Sequence, residues 1–118
     1  MTNNYYILYH LANYLKKNLY KNSIREIYSQ EKNKIIISFG ENSLEFSAER
    51  NLPYLVMRGN LERARKNTAT LFGTLTGETV TDAGLYNDDR IISISLSGGS
   101  RMLFSLIPAK MNLLIVPD

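Results

Sequence analysis

From Ile92 to Ser97 the chain alternates without a break: Ile92, Ile94 and Leu96 fall on one face, Ser93, Ser95 and Ser97 on the other. That is the period of a strand with one face buried and one face wet. Gly98-Gly99 follows, and a second apolar run, Met102 to Leu106, comes directly after it. Paired glycines between two such runs are a hairpin signal. Asp89 and Arg90 stand at the mouth of the first strand. A rigid strand that presents a carboxylate and a guanidinium from its first residues can read a polar partner. The same doublet can also end a turn and solvate a sheet edge.

The N-terminal part has a different period. Leu8, Leu11, Ala12, Leu15 and Leu19 recur at helical spacing, which predicts a helix over Tyr5 to Leu19 with one apolar stripe. Lys16 and Lys17 lie in its last turns, where the macrodipole favours cations. His10 lies off the stripe and reads as a partly exposed helix residue. Strands are expected from Ile24 to Ser29 and from Lys34 to Phe39, joined by the polar turn Glu31-Lys32-Asn33. Gly40-Glu41-Asn42 makes the next turn, Leu44, Phe46 and Ala48 continue a third strand, and Tyr54 to Val56 makes a short fourth. After Gly59-Asn60, the residues Leu61, Ala64, Thr68, Leu71 or Phe72, and Leu75 can face a core from a second helix that Gly77 stops. Strands then resume at Thr79 to Leu85, Arg90 to Leu96, Met102 to Leu106 and Leu113 to Val116. This order predicts an α+β domain, a strand-rich sandwich or barrel-like core with two helices.

Composition narrows the function classes. At 118 residues the chain makes one domain with a single core. It has no cysteine, so neither a disulfide framework nor a thiolate nucleophile or metal ligand is available, and its one histidine cannot build a zinc site alone. No apolar run reaches membrane-spanning length, and the start Met1-Thr2-Asn3-Asn4-Tyr5-Tyr6 lacks the features of a signal peptide, so a cytoplasmic location is expected. Lys and Arg outnumber Asp and Glu by 14 to 11, a mildly basic balance compatible with nucleic acid.

No catalytic set emerges. Glu62, Glu78, Asp82, Asp88 and Asp89 are scattered, no histidine stands downstream as a base, and Gly98-Gly99-Ser100 is a hairpin turn, not a phosphate cradle. The chain is therefore expected to bind, not to catalyse, with no cofactor and no small-molecule substrate. The more telling group is Arg63, Arg65 and Lys66 near the start of the second predicted helix, with Arg63 and Lys66 on one face. Basic charge there opposes the macrodipole, which a phosphate partner would offset; acidic side chains elsewhere in the fold, or plain solvation, would account for it as well.

With these residues assembled, the chain resembles the N-terminal domain of the NFACT family. That family takes in proteins described as fibronectin-binding and ribosome rescue factors of bacteria and eukaryotes. The likeness runs through a first helix into the segment Ile24 to Ile37, matching a helix-then-hairpin opening. Arg63-Ala64-Arg65-Lys66-Asn67, followed by Leu71-Phe72 and Leu75-Thr76-Gly77, resembles the family's central helix and glycine stop in the form of Bacteroidetes-type members. Asp89-Arg90-Ile91 stands where the family has its Asp-Arg motif at a strand start. Asn112, in the last strand from Met111 to Val116, matches the asparagine of the family's Ser-Asn strand.

The resemblance implies a fold similar to the N-terminal domain of formamidopyrimidine-DNA glycosylase. It also implies binding to tRNA and to the large ribosomal subunit, and a nucleic-acid-facing role for Asp89, Arg90, Asn112, Arg63, Arg65 and Lys66. Glycosylase chemistry is not implied, because the N-terminal proline amine and neighbouring glutamate that perform it are replaced by Met1-Thr2-Asn3-Asn4. Members that extend stalled peptides without a template carry an acid in or before the first helix. Asn3-Asn4-Tyr5-Tyr6-Ile7-Leu8 has none, which separates the expected binding from that tailing activity. Family members are longer, so residues 1–118 are expected to be the N-terminal part of such a domain. The alternative class is a protein-interaction or adhesin-type domain, as the fibronectin-binding description suggests.

Overall fold

The structure, a computed structural model, describes residues 5–29, 31–49, 54–59, 69–86, 89–106 and 112–117. The first element is a helix, α1, over Tyr5–Leu19. Its buried stripe is Leu8, Ala12, Leu15 and Leu19, with Leu11 half-buried beside it. Lys21 adopts the left-handed conformation at φ 69° just past the helix end, and its N–H donates to Val80 O at 2.9 Å. That geometry terminates the helix and fastens its end to the strand that follows much later in the chain.

Nine strands follow among the described residues: β1 Glu26–Ser29, β2 Lys34–Ser38, β3 Asn42–Ser47, β4 Tyr54–Gly59, β5 Ala69–Thr70, β6 Val80–Leu85, β7 Ile91–Leu96, β8 Arg101–Ser105 and β9 Asn112–Val116. They form two antiparallel sheets, ordered β4-β3-β2-β1-β5 and β6-β7-β8-β9. The turns fall on the residues that tolerate positive φ: Asn33 at 63° before β2 and Gly40 at 97° before β3. In the β7–β8 connection Gly99 takes φ 94°, and its N–H donates to Leu96 O at 3.0 Å.

Both sheets turn an apolar face to the same core. Ile27, Ile37, Leu44, Phe46 and Leu55 come from the first; Ile92, Ile94, Leu96, Met102, Phe104 and Leu113 come from the second. Phe46 and Phe104 meet edge-to-face across the gap, with ring centroids 5.4 Å apart. The strand alternation predicted for β7 holds, because Ile92 and Ile94 are fully buried while Ser93 and Ser95 lie half-exposed on the opposite face. Two sheets with a shared core make the sandwich form of the α+β expectation.

The second predicted helix needs correction. Residues 60–68, which include most of it, lie outside the described residues. Its last part is not α-helical: Ala69–Thr70 forms β5, pairing with Ser29 and Tyr28 of β1, and Gly73–Leu75 is one turn of 3-10 helix. The sequence explains the outcome. Thr70, Gly73, Thr74 and Thr76 are poor helix formers, and Phe72 takes φ 48°, which breaks a helical path. The Leu71 N–H donates to Ile27 O at 2.9 Å, so pairing to the sheet replaces the intrahelical bonds.

Candidate nucleic-acid interface

Asp89 and Arg90 sit in the tight turn that leads from β6 into β7. Tyr86 N–H donates to Ile91 O at 2.8 Å, and Asp89 N–H donates to Tyr86 O at 3.1 Å. The Asp89 carboxylate accepts the Arg90 N–H at 2.7 Å, so this side chain holds the turn as well as presenting a charge. Asp89 is exposed and Arg90 half-exposed. Among the described residues the Arg90 guanidinium has no ion pair, while its carbonyl accepts the Leu106 N–H at 2.9 Å.

Asn112 opens β9, in register with Ser105, which is itself in register with Ile91. The sequence-predicted residues Asp89, Arg90 and Asn112 therefore gather at one end of the second sheet. Two strand spacings separate them, about 10 Å. Arg63, Arg65 and Lys66 lie outside the described residues.

Two surface hollows lie along β6, the first toward the end of the strand remote from Asp89, and sequence reasoning did not single them out. One runs between α1 and β6, about 630 Å³ in volume, lined by Asn13, Lys16, Lys17, Tyr20, Thr81 and Asp82. The pairing of β6 with β7 slips between Val80 and Asp82, and both Thr81 and Asp82 are exposed. A bulge of this kind re-aims side chains, which is how two consecutive residues of a strand both reach solvent. Asp82 Oδ1 lies 3.3 Å from Lys16 Nζ and accepts the Ala83 N–H at 2.9 Å. On the helix and just past its end, exposed Tyr9, Lys16, Lys17 and Tyr20 interleave rings with cations. That mixture suits a polyanion carrying flat bases. Its legible signal was the 4-3-4 spacing of Tyr9, Asn13, Lys16 and Tyr20.

The second hollow, about 340 Å³, lies on the wet face of the second sheet and is lined by Asp82, Ala83, Gly84, Leu85, Tyr86, Ser93, Ser95 and Arg101. The Arg101 guanidinium stands 5.5 Å from the centre of the Tyr86 ring. Asp82 belongs to both hollows, so they meet at the bulge, the first lying against α1 and the second running along β6 to Tyr86.

The first sheet carries a separate polar cluster. The Tyr54 hydroxyl donates to the Glu45 carboxylate, whose other oxygen lies 3.3 Å from Arg58 Nε. The bond to Glu45 is the main reason the Tyr54 phenol is held above its ordinary range, with burial adding to it. Lys34 is likewise raised, chiefly by its bond to Glu31, 3.2 Å away. A raised phenol keeps its proton in the folded state after the unfolded state has lost it. Its contribution is therefore complete below about pH 10 and fades as pH climbs through the folded value. Urea midpoints taken between neutral pH and strong alkali should fall less steeply for Tyr54→Phe than for the wild type. Parallel curves would show that the Glu45 bond does not couple to folding.

Among the described residues, no group of three or more His, Asp or Glu is placed to hold a metal ion, and no helix is long and apolar enough to cross a membrane. What the geometry defines is a two-sheet α+β scaffold with a polar, cation-bearing surface along one sheet and its helix. No family model matches the sequence, and no curated protein matches it either. Among solved structures, the chain is similar to the N-terminal domain of the fibronectin-binding protein PavA from Streptococcus pneumoniae. The TM-score is 0.80 at 15% sequence identity, over 99% of this chain and 50% of that one. The chain thus spans about half the length of the structure it matches, and the likeness is one of fold.

Proposed function

We propose that this chain is an RNA-binding module of the NFACT type, recognising tRNA and the large ribosomal subunit in the cytoplasm, and acting by binding without catalysis. The observation that carries the reading is the gathering of Asp89, Arg90 and Asn112 at one end of the second sheet, on a scaffold shared with the PavA domain. These are the residues through which the sequence resembles the family, and the turn leaves the Asp89 and Arg90 side chains open to a partner. The cations and tyrosines of α1 supply the chemistry that attracts a phosphate chain and stacks its bases.

The test is tRNA and ribosome binding across a salt series, with wild type and the triple variant Arg63→Ala, Arg65→Ala, Lys66→Ala. Phosphate contacts release counterions, so binding should weaken with salt, and the triple variant should bind more weakly with a flatter slope. Equal slope and affinity would assign the cluster to solvation. The name of the PavA protein favours a second reading, a protein-binding domain of adhesin type. Immobilised fibronectin belongs in the same experiment: capture there with no RNA binding would replace the first reading by the second.

A further inference from the structure

Gly84 is the penultimate residue of β6, opposite Ser93 of β7, on the wet face of the second sheet. A glycine inside a strand weakens it against a residue with a side chain, so its presence asks for a cause. Three causes recur: a bulge or tight bend, a backbone conformation closed to other residues, or a close approach by another group. The bulge in β6 lies earlier, between Val80 and Asp82. Gly84 is not among the residues at positive φ. A Cβ built on it would meet no heavy atom within 4 Å among the described residues beyond its chain neighbours, so no protein group approaches. What remains is open space above the strand, bounded by the lining of the second hollow.

The walls say what fits. Ser93 and Ser95 form the floor on β7, and neither hydroxyl makes a hydrogen bond among the described residues. Arg101 is in register with Ser95 on β8, whereas Tyr86 follows the last residue of β6. For guanidinium and ring to stand 5.5 Å apart, both side chains must lean across the face between them. Arg101 has no carboxylate partner among the described residues, because the one acid in the hollow, Asp82, is already met by Lys16. The hollow's lining therefore carries one guanidinium without a carboxylate partner, one carboxylate already met from α1, two free hydroxyls and an aromatic edge.

We infer that this notch seats one phosphorylated nucleotide unit. Its phosphate would lie on the Arg101 guanidinium and the Ser93 and Ser95 hydroxyls, with base or sugar against Tyr86. A volume of about 340 Å³ suits one such unit and not a longer peptide. The chemistry is the same for a link in single-stranded RNA and for a free nucleotide. The RNA form rests on the function proposed above; the notch itself does not.

The experiment compares wild type with Gly84→Thr and Arg101→Gln, using a labelled eight-nucleotide single-stranded RNA, adenosine monophosphate and inorganic phosphate as probes, with thermal melting alongside. Gly84→Thr fills the notch without a clash, so its melting temperature should match or exceed that of the wild type while RNA and nucleotide binding fall at least about tenfold. Arg101→Gln should fall by a similar factor through a side chain outside the core, and it decides the matter if Gly84→Thr melts early. RNA bound equally by both variants and wild type overturns the notch and leaves the proposed function standing. Nucleotide bound without RNA, and lost in the variants, upholds the notch and removes the RNA reading. Inorganic phosphate competing as well as the nucleotide reduces the site to an anion hole and overturns the inference, as does no binding of any probe.

Discussion

Replacing Phe104 by alanine should remove about 3–5 kcal/mol of stability, the range for deleting a large aromatic from a closed core. Phe104 is fully buried on β8 and meets Phe46 of the facing sheet at 5.4 Å. The truncation therefore opens a cavity at the contact that joins the two sheets, where neither can collapse without bending. A domain of this size holds roughly 5–15 kcal/mol in total, so much of the fold's margin would go. The melting temperature should drop by about 10–25 °C. Phe104→Leu, which keeps most of the volume, should lose far less. Leu114→Ala serves as the control, because Leu114 is 52% exposed on β9 and its removal should leave the melt nearly unchanged. An F104A protein that melts with the wild type would mean the two sheets do not share this core.

The same core explains which parts of the fold were legible in the sequence. α1 and β7 were readable because each buries one clean stripe, so the period of Leu8, Leu15 and Leu19, or of Ile92, Ile94 and Leu96, survives in the residue order. The segment before Gly77 was not. Leu71 and Leu75 fit a helical stripe, but their burial comes from pairing with β1 and a single 3-10 turn, a long-range outcome that no local pattern records. β6 hid its geometry for a different reason. The slip at Thr81 puts buried Val80 and Ala83 three residues apart, so the strand carries a period that is not two. The Asp89–Arg90 turn was legible as a motif, whereas its nearness to Asn112 depended on the order of β7, β8 and β9. The notch at Gly84 was legible only in hindsight, as a glycine with no turn around it.

Asp89 and Arg90 should separate when they are replaced one at a time, although the sequence suggests treating them as one surface doublet. Asp89 holds the turn through its carboxylate bond to the Arg90 N–H at 2.7 Å, so Asp89→Ala should lower stability by about 1 kcal/mol, seen as an earlier melt. Arg90 contributes its carbonyl to the Leu106 N–H, a bond that alanine keeps. Arg90→Ala should therefore stay within about 0.5 kcal/mol of wild-type stability. RNA binding should order the two differently. If the guanidinium forks onto phosphate or a base edge, Arg90→Ala loses about 1–3 kcal/mol of affinity, roughly five- to 150-fold, with the melt unmoved. Arg90→Lys should recover only part, since the charge returns without the planar fork. Asp89→Ala should weaken binding too, because a loosened turn no longer fixes the direction of the neighbouring arginine. Melting curves and tRNA or ribosome titrations on the three single variants decide it. An Arg90→Ala protein that binds as tightly as wild type would leave the turn a structural device, and the nucleic-acid contact would have to be sought on the α1 face instead.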